Sequence, residues 1–218
     1  MINHGCYVID KKAETSVPVN DLIARRWSGR AFDPDRPVLD GDIIALLEAA
    51  RWAPSCFGEQ PWRYIICNKR PNPEAWKHAL ACLAENNQSW ARHAQILILA
   101  SADNFMARDG RANRWGQYDT GAASLNLCLQ ATALGLMVHQ MGGFNANTAR
   151  KLFGIPVQCT PMAMLAVGYQ LPEGSLAPDL RERELQPRGR RPLTEQFYDG
   201  AWNVPYVKTS KATSKRGF

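Results

Sequence analysis

The run Ile96-Leu97-Ile98-Leu99-Ala100 constrains the fold more than any other part of the chain. Five apolar residues between polar neighbours are too few to cross a bilayer, and their brevity and bounds read as a buried strand. Three further short runs, at 64–67, 138–141 and 162–167, read the same way. Helical patterns lie between them. Ser16 and Pro18 start a short helix that ends near Arg26. Asp40 caps a second, with Ile43, Leu46, Leu47 and Ala50 on one side until Pro54 stops it. Residues 74–86 read as helical. Asp119 opens a long central helix that Gly135 follows as a C-cap glycine, and 148–153 form a short helix. The stretch 172–192, rich in Pro, Arg and Glu, reads as an extended linker or arm.

With 218 residues, 45% of them hydrophobic, the chain can build one sizeable core. We expect an N-terminal extension over 1–15, a domain over 16–199, and a C-terminal arm with a basic tail over 200–218. The net charge of +6 falls to +2 without the four cations Lys208, Lys211, Lys215 and Arg216 of that tail. The remaining Arg residues form no basic helix, so we expect no nucleic-acid partner. No run is long enough for a membrane span and no export signal stands at the N-terminus. The six cysteines show no metal-site or dithiol spacing, which fits a reducing cytoplasm and no metal. Cys56 is the one cysteine with a setting that invites chemistry.

Four short segments carry candidate chemistry. In an extended stretch after the first helix, Arg26, Ser28 and Arg30 share a face, and two guanidinium groups with a hydroxyl make an anion site. Taken alone, the segment reads more simply as a solvated basic stretch. The loop Ala53-Pro54-Ser55-Cys56-Phe57-Gly58-Glu59-Gln60-Pro61-Trp62 joins a helix to a strand, with Ser55 and Gln60 as polar groups; a plain connection is the simpler reading. In His139-Gln140-Met141-Gly142-Gly143-Phe144-Asn145, two glycines let backbone N–H groups approach a flat heterocycle, or simply make a turn. His139 reads as a satisfied core histidine rather than a catalytic one. Arg188, Arg190 and Arg191 form a basic cluster far along the chain.

Together these segments resemble the FMN-dependent nitroreductase family, over about 21–197. The resemblance rests on RRWSGRAFDPDRPV, EAARWAPSCFGEQPWRYIIC, DTGAASLNLCLQATALGL with MGGFN, FGIP with AVGY, and RRPLTEQF. It implies an α+β sandwich whose central, mainly antiparallel sheet is flanked by helices, in an intertwined homodimer with FMN at the interface. Arg26 and Ser28 would hold the FMN phosphate and ribityl chain, and Arg30 would sit near the pyrimidine edge. Pro54, Ser55 and Cys56 would reach the partner's flavin. Cys56 stands where a serine is frequent and Gly58 where an asparagine is frequent, which makes Gln60 the better flavin contact. Gly142 and Gly143 would face N5 and O4, Arg188 and Arg190 would lie near the phosphate, and Asn86 matches a polar flavin contact loosely. Arg25 and Trp27 face elsewhere.

No Gly-x-Gly-x-x-Gly follows a strand, so NADH or NADPH would visit the flavin site rather than a Rossmann domain. The family's logic is a ping-pong oxidoreductase: hydride from NAD(P)H to flavin N5, then electrons to an acceptor such as a nitroaromatic or quinone, with no essential side-chain acid or base. Dehalogenation, enal reduction, flavin fragmentation and non-catalytic flavin binding are the alternatives. Phe105, Trp115 and Tyr118, within 104–118, are candidates for a substrate lid.

Overall fold

The computed structural model describes residues 8–206. The run 96–100 opens strand β2 (Ile96–Asp103), each of its residues at most 1% exposed. β2 pairs antiparallel with β1 (Trp62–Asn68) on one edge and with β4 (Cys159–Gly168) on the other, and β3 (Met137–Met141) pairs antiparallel with β4. The sheet therefore has the order β1-β2-β4-β3 and is wholly antiparallel. Alternation along β2 divides the core in two. Leu97 and Leu99 join Met164 and Ala166 in one layer with Trp76, Ala79 and Ala149, while Ile96, Ile98 and Ala100 join Leu165 and Val167 in the other with Leu46, Ala123 and Leu127. Helices α3 (Pro73–Cys82) and α6 (Ala146–Phe153) supply the first layer, and α2 (Asp40–Arg51) and α5 (Gly116–Ala133) the second. This is the expected α+β sandwich.

Several boundaries differ from the sequence reading, each for a local reason. Helix α1 (Asp21–Arg25) starts after Pro18, because Asn20 caps it by accepting from Leu22 N at 3.0 Å. Asp40 is the first residue of α2 and Leu39 holds the cap position. The expected helix over 74–86 is two: α3 ends at Cys82 and α4 (Glu85–Ala91) follows. Leu83 between them is extended, bridges Phe144 and is 3% exposed, and Ala84 N donates to Gly143 O at 3.0 Å. Tertiary pairing overrides helical propensity there. α5 begins at Gly116, so Asp119 lies inside the helix rather than capping it. Gly135 follows α5 with φ +71°, as a C-cap glycine should. Over 172–192 the chain is not an extended arm throughout: it forms a short 3-10 turn at Glu173–Ser175 and helix α7 (Pro178–Leu185).

The chain divides into a unit over Met1–Gln186 and a unit over Pro187–Phe218. In the second, described to residue 206, Tyr198 bridges Pro205 and its ring lies 5.0 Å from that of Trp202. Cys6, Val207 and the basic tail lie outside the described residues.

Candidate functional site

Arg26 closes α1, its N–H donating to Leu22 O at 3.0 Å, and the backbone then runs extended. Arg26 Nη1 donates to Ser28 Oγ at 3.3 Å, so these two side chains lie on one face. The intervening residues point inward. Gly29 is buried, and a Cβ there would collide with Met137 Sδ and come within 2.9 Å of Glu184 Oε2 and the Trp27 ring, so a larger residue would force these side chains apart. Phe32 is 2% exposed and stacks on Trp90 at 6.2 Å.

Two buried polar groups hold this segment in shape. The carboxylate of Glu184 in α7, 1% exposed, accepts from Arg30 N at 3.0 Å and Ala31 N at 3.4 Å. Burial pushes its pKa up, while these N–H bonds and the Arg30 charge pull it down, with burial the stronger. His139 Nδ1 lies 3.1 Å from Gly29 O, and its ring sits 4.6 Å from that of Trp90. Burial first, then the charges of Arg30 and Arg26, push His139 down to about 4, against the upward pull of its backbone hydrogen bonds. It is therefore neutral at pH 7, and because a carbonyl only accepts, we assign its proton to Nδ1. The core reading of His139 fits. Neither His139's role as a strut nor Glu184 was legible as a partner of this segment in the sequence.

The second cluster is the loop over 54–61. Its backbone is strained: Phe57, inside a short 3-10 turn at Cys56–Gly58, has φ +55°, Gln60 just beyond the turn has φ +47°, and Gly58 itself has +70°. Ser55 Oγ accepts from Gln60 N at 3.0 Å, closing the loop on itself. Cys56 N donates to the buried Asp119 carboxylate at 3.0 Å, and Arg63 Nη1 donates to Gln60 O at 2.9 Å. Glu59 Oε2 accepts from Ala107 N at 2.6 Å, and the Arg108 guanidinium lies 3.8 Å over the Phe57 ring. Asp119, Glu59 and Arg63 are thus the fasteners of the loop, and only hindsight finds them in the sequence. Pro54 and Gln60 are exposed, with Ser55 and Cys56 half-buried. The segment 104–118 that it grips carries Phe105, Trp115 and Tyr118 at its surface, Tyr118 80% exposed.

Gly142 and Gly143 follow β3 and line a recess of about 750 Å³ with Leu83, Ala84, Phe144 and Asn145. A Cβ on Gly142 would meet nothing within 4 Å, so packing within the chain does not require glycine there and space is left for a ligand to approach. A Cβ on Gly143 would fall 2.9 Å from Asn87 Nδ2, which donates to Gly143 O at 3.0 Å. Asn87, rather than Asn86, is thus the asparagine that meets this turn. Arg188 and Arg190 belong to the second unit, where Arg190 Nη1 donates to Gly189 O at 2.7 Å.

Among the described residues, no group of three or more His, Cys, Asp or Glu is placed to hold a metal, and all five cysteines are free. No described helix is long and apolar enough to cross a membrane.

A solved structure described as an oxidoreductase containing FMN matches with a TM-score of 0.81 at 31% identity, over 91% of this chain and all of that one. A nitroreductase family protein from Clostridium difficile 630 matches with a TM-score of 0.62 at 27% identity, over 83% of this chain and 96% of that one. An NADH dehydrogenase from Thermus thermophilus is 31% identical over 74% of this chain and 92% of its own length. The sequence profile of the Nitroreductase family matches residues 23–169, and the chain belongs to that family.

Proposed function

We propose that this chain is an FMN-dependent oxidoreductase that draws on NADH or NADPH and serves an acceptor such as a nitroaromatic or quinone in two separate half-reactions. The observation that carries it is the convergence of Arg26 and Ser28 on one face of a segment with a rigid inner side. A phosphate offers oxygens to both side chains, and Arg adds a charge-assisted, bidentate contact. The relatives give the chemistry: a structure at 31% identity contains FMN, and a relative at 31% identity is an NADH dehydrogenase.

Bound FMN would supply the redox chemistry between the nicotinamide and the acceptor. The protein's part is position and charge. Arg26 and Ser28 would bind the phosphate end, Arg30 would place a positive charge beside the pyrimidine edge, and Gly142 and Gly143 would present backbone to the N5 and O4 edge. Pro54, Ser55, Cys56 and Gln60 serve the flavin of the partner in a homodimer, and Phe105, Trp115 and Tyr118 border the acceptor. His139 is neutral and engaged with Gly29, which supports a mechanism without an essential side-chain acid or base. We place this reaction in the cytoplasm.

Anaerobic titration of the purified protein with NADH and with NADPH, read in the visible spectrum, tests the proposal. The flavin band should bleach with at least one nicotinamide and return on adding a nitroaromatic or quinone. A protein without bound flavin, or a yellow one that neither nicotinamide bleaches, would overturn it.

A further inference from the structure

The segment 104–113 folds back on itself as a short hairpin. Phe105 bridges Ala112 antiparallel, Met106 N donates to Arg111 O and Gly110 N to Met106 O, each at 2.8 Å, and Gly110 turns the chain at φ +71°. Its base is tied to the chain before β4: Asn104 N donates to Gln158 O at 3.0 Å, Asn113 N donates to Asn104 O at 2.7 Å, and Met106 is 5% exposed. The tip is held differently. Among the described residues, every hydrogen bond and ion pair that leaves the hairpin from 107–111 ends on Glu59.

Glu59 is well placed for this. Ala107 N donates to its Oε2 at 2.6 Å, Arg108 Nε lies 3.8 Å from its Oε1, and the Arg108 guanidinium lies 3.8 Å over the ring of Phe57, two residues before it. The Glu59 side chain is only 4% exposed, and a carboxylate so enclosed depends on the donors that face it. Its own loop is less dependent on the contact, because Asp119 holds Cys56 N, Ser55 Oγ holds Gln60 N and Arg63 holds Gln60 O. The loop is therefore the fixed member of the pair and the hairpin tip the dependent one.

We propose that Glu59 is a positioning residue that sets acceptor selectivity: it fastens the hairpin over 104–113 to the loop over 54–61 and so aims the Phe105 ring at a flat aromatic acceptor. This rests on the reading of Phe105, Trp115 and Tyr118 as the border of the acceptor. Phe105 is 49% exposed, and its backbone is set by the bridge to Ala112 and by the bond from its N–H to Asp103 Oδ1 at 3.1 Å. A tip that swings free loosens the bridge and with it the direction of the ring. An acceptor that stacks on the ring feels that loss, and one that takes electrons without stacking does not.

Hydrogen exchange of the protein as purified, read by mass spectrometry over 104–113, and steady-state kinetics at saturating nicotinamide test this. In Glu59→Ala the hairpin amides should exchange about tenfold faster, the worth of one hydrogen bond to a charged group. The KM for 1,4-benzoquinone should rise about threefold or more with kcat held, while turnover of ferricyanide and FMN occupancy stay unchanged. Glu59→Gln retains an acceptor for Ala107 N and should restore both exchange and KM. Arg108→Ala, which removes the half-exposed partner, should shift both in the same direction more weakly, and it decides the matter if thermal melts show that Glu59→Ala does not fold. Exchange over 104–113 unchanged in the variants, faster exchange with an unchanged KM, or loss of FMN in step with the rise in KM would overturn the proposal. A protein that neither nicotinamide reduces defeats the functional reading and the selectivity with it, whereas the exchange result still decides whether Glu59 fastens the hairpin.

Discussion

Arg26 and Ser28 show how little of the proposed phosphate site one residue carries. Their side chains meet at 3.3 Å, yet what fixes them is inward: Gly29 has no room for a Cβ, and Arg30 N is tied to Glu184. Arg26→Ala should weaken FMN binding by about 1.5–3 kcal/mol, the worth of a charge-assisted hydrogen bond, roughly a ten- to hundredfold rise in Kd by fluorescence titration of the apoprotein. Unchanged affinity would refute the assignment. His139 makes a pH prediction whose sign follows from its depressed pKa. Above about 6.5 it is neutral in folded and unfolded chains alike; between 6.5 and about 4 only the unfolded chain takes the proton, so acidification destabilises the fold. The slope is at most about 1.4 kcal/mol per pH unit. Urea melts from pH 7 to 4.5 should show it, and His139→Asn should flatten it. Ser101 is simpler: it is 2% exposed, and its hydroxyl has no hydrogen-bond partner among the described residues. Ser101→Ala should raise Tm, by the equivalent of up to about 1 kcal/mol, and a lower Tm would mean that the hydroxyl is satisfied.

At the scale of elements, the sheet was legible because β2 opens on five consecutive apolar residues, and α5 from its length and the glycine that follows it. The break between α3 and α4 was not, since it depends on Leu83 meeting Phe144 some sixty residues on. Helix α7 was missed for a related reason. Its sequence PDLREREL has two apolar residues and no apolar stripe, and its buried residue is a charge, Glu184. Hydrophobic periodicity cannot find a helix that docks by a carboxylate. The candidate segments themselves were legible as glycines, arginines and prolines in a particular order; their fasteners, Glu184, Asp119 and Glu59, were not, because an acid facing backbone N–H groups reads in sequence like any solvated acid. Removing one should therefore matter more than its surface-like identity suggests. Glu184→Ala leaves Arg30 N and Ala31 N without an acceptor and should cost about 1–3 kcal/mol in urea unfolding, along with FMN affinity. Glu184→Gln retains a carbonyl acceptor and should recover much of both. Equal losses in the two variants would show that charge, not hydrogen bonding, is what α7 supplies.

At the scale of the whole molecule, the loop over 54–61 raises the question of what its strain is for. Phe57 and Gln60 sit at positive φ, where non-glycine residues cost roughly 1–2 kcal/mol each, and Phe57 is 67% exposed. Nothing in the chain's own core compensates for this, although Asp119, Glu59 and Arg63 hold the loop in place. Trp52 at the end of α2 is 76% exposed and Ile44 earlier in the same helix 62% exposed, so α2 carries apolar surface and runs into a rigid, outward loop. The proposed homodimer would account for both: a second chain would cover the apolar residues, and the strained loop would place Pro54, Ser55 and Cys56 against the partner's flavin. Light scattering of the FMN-loaded protein should then give twice the 24.3 kDa chain mass. Replacing Trp52 and Ile44 together with Glu should shift it toward monomer and, because the proposed site is completed across the interface, release FMN in step with dissociation. A monomer that retains FMN at full occupancy would place the loop outside the flavin site and leave its strain without a role.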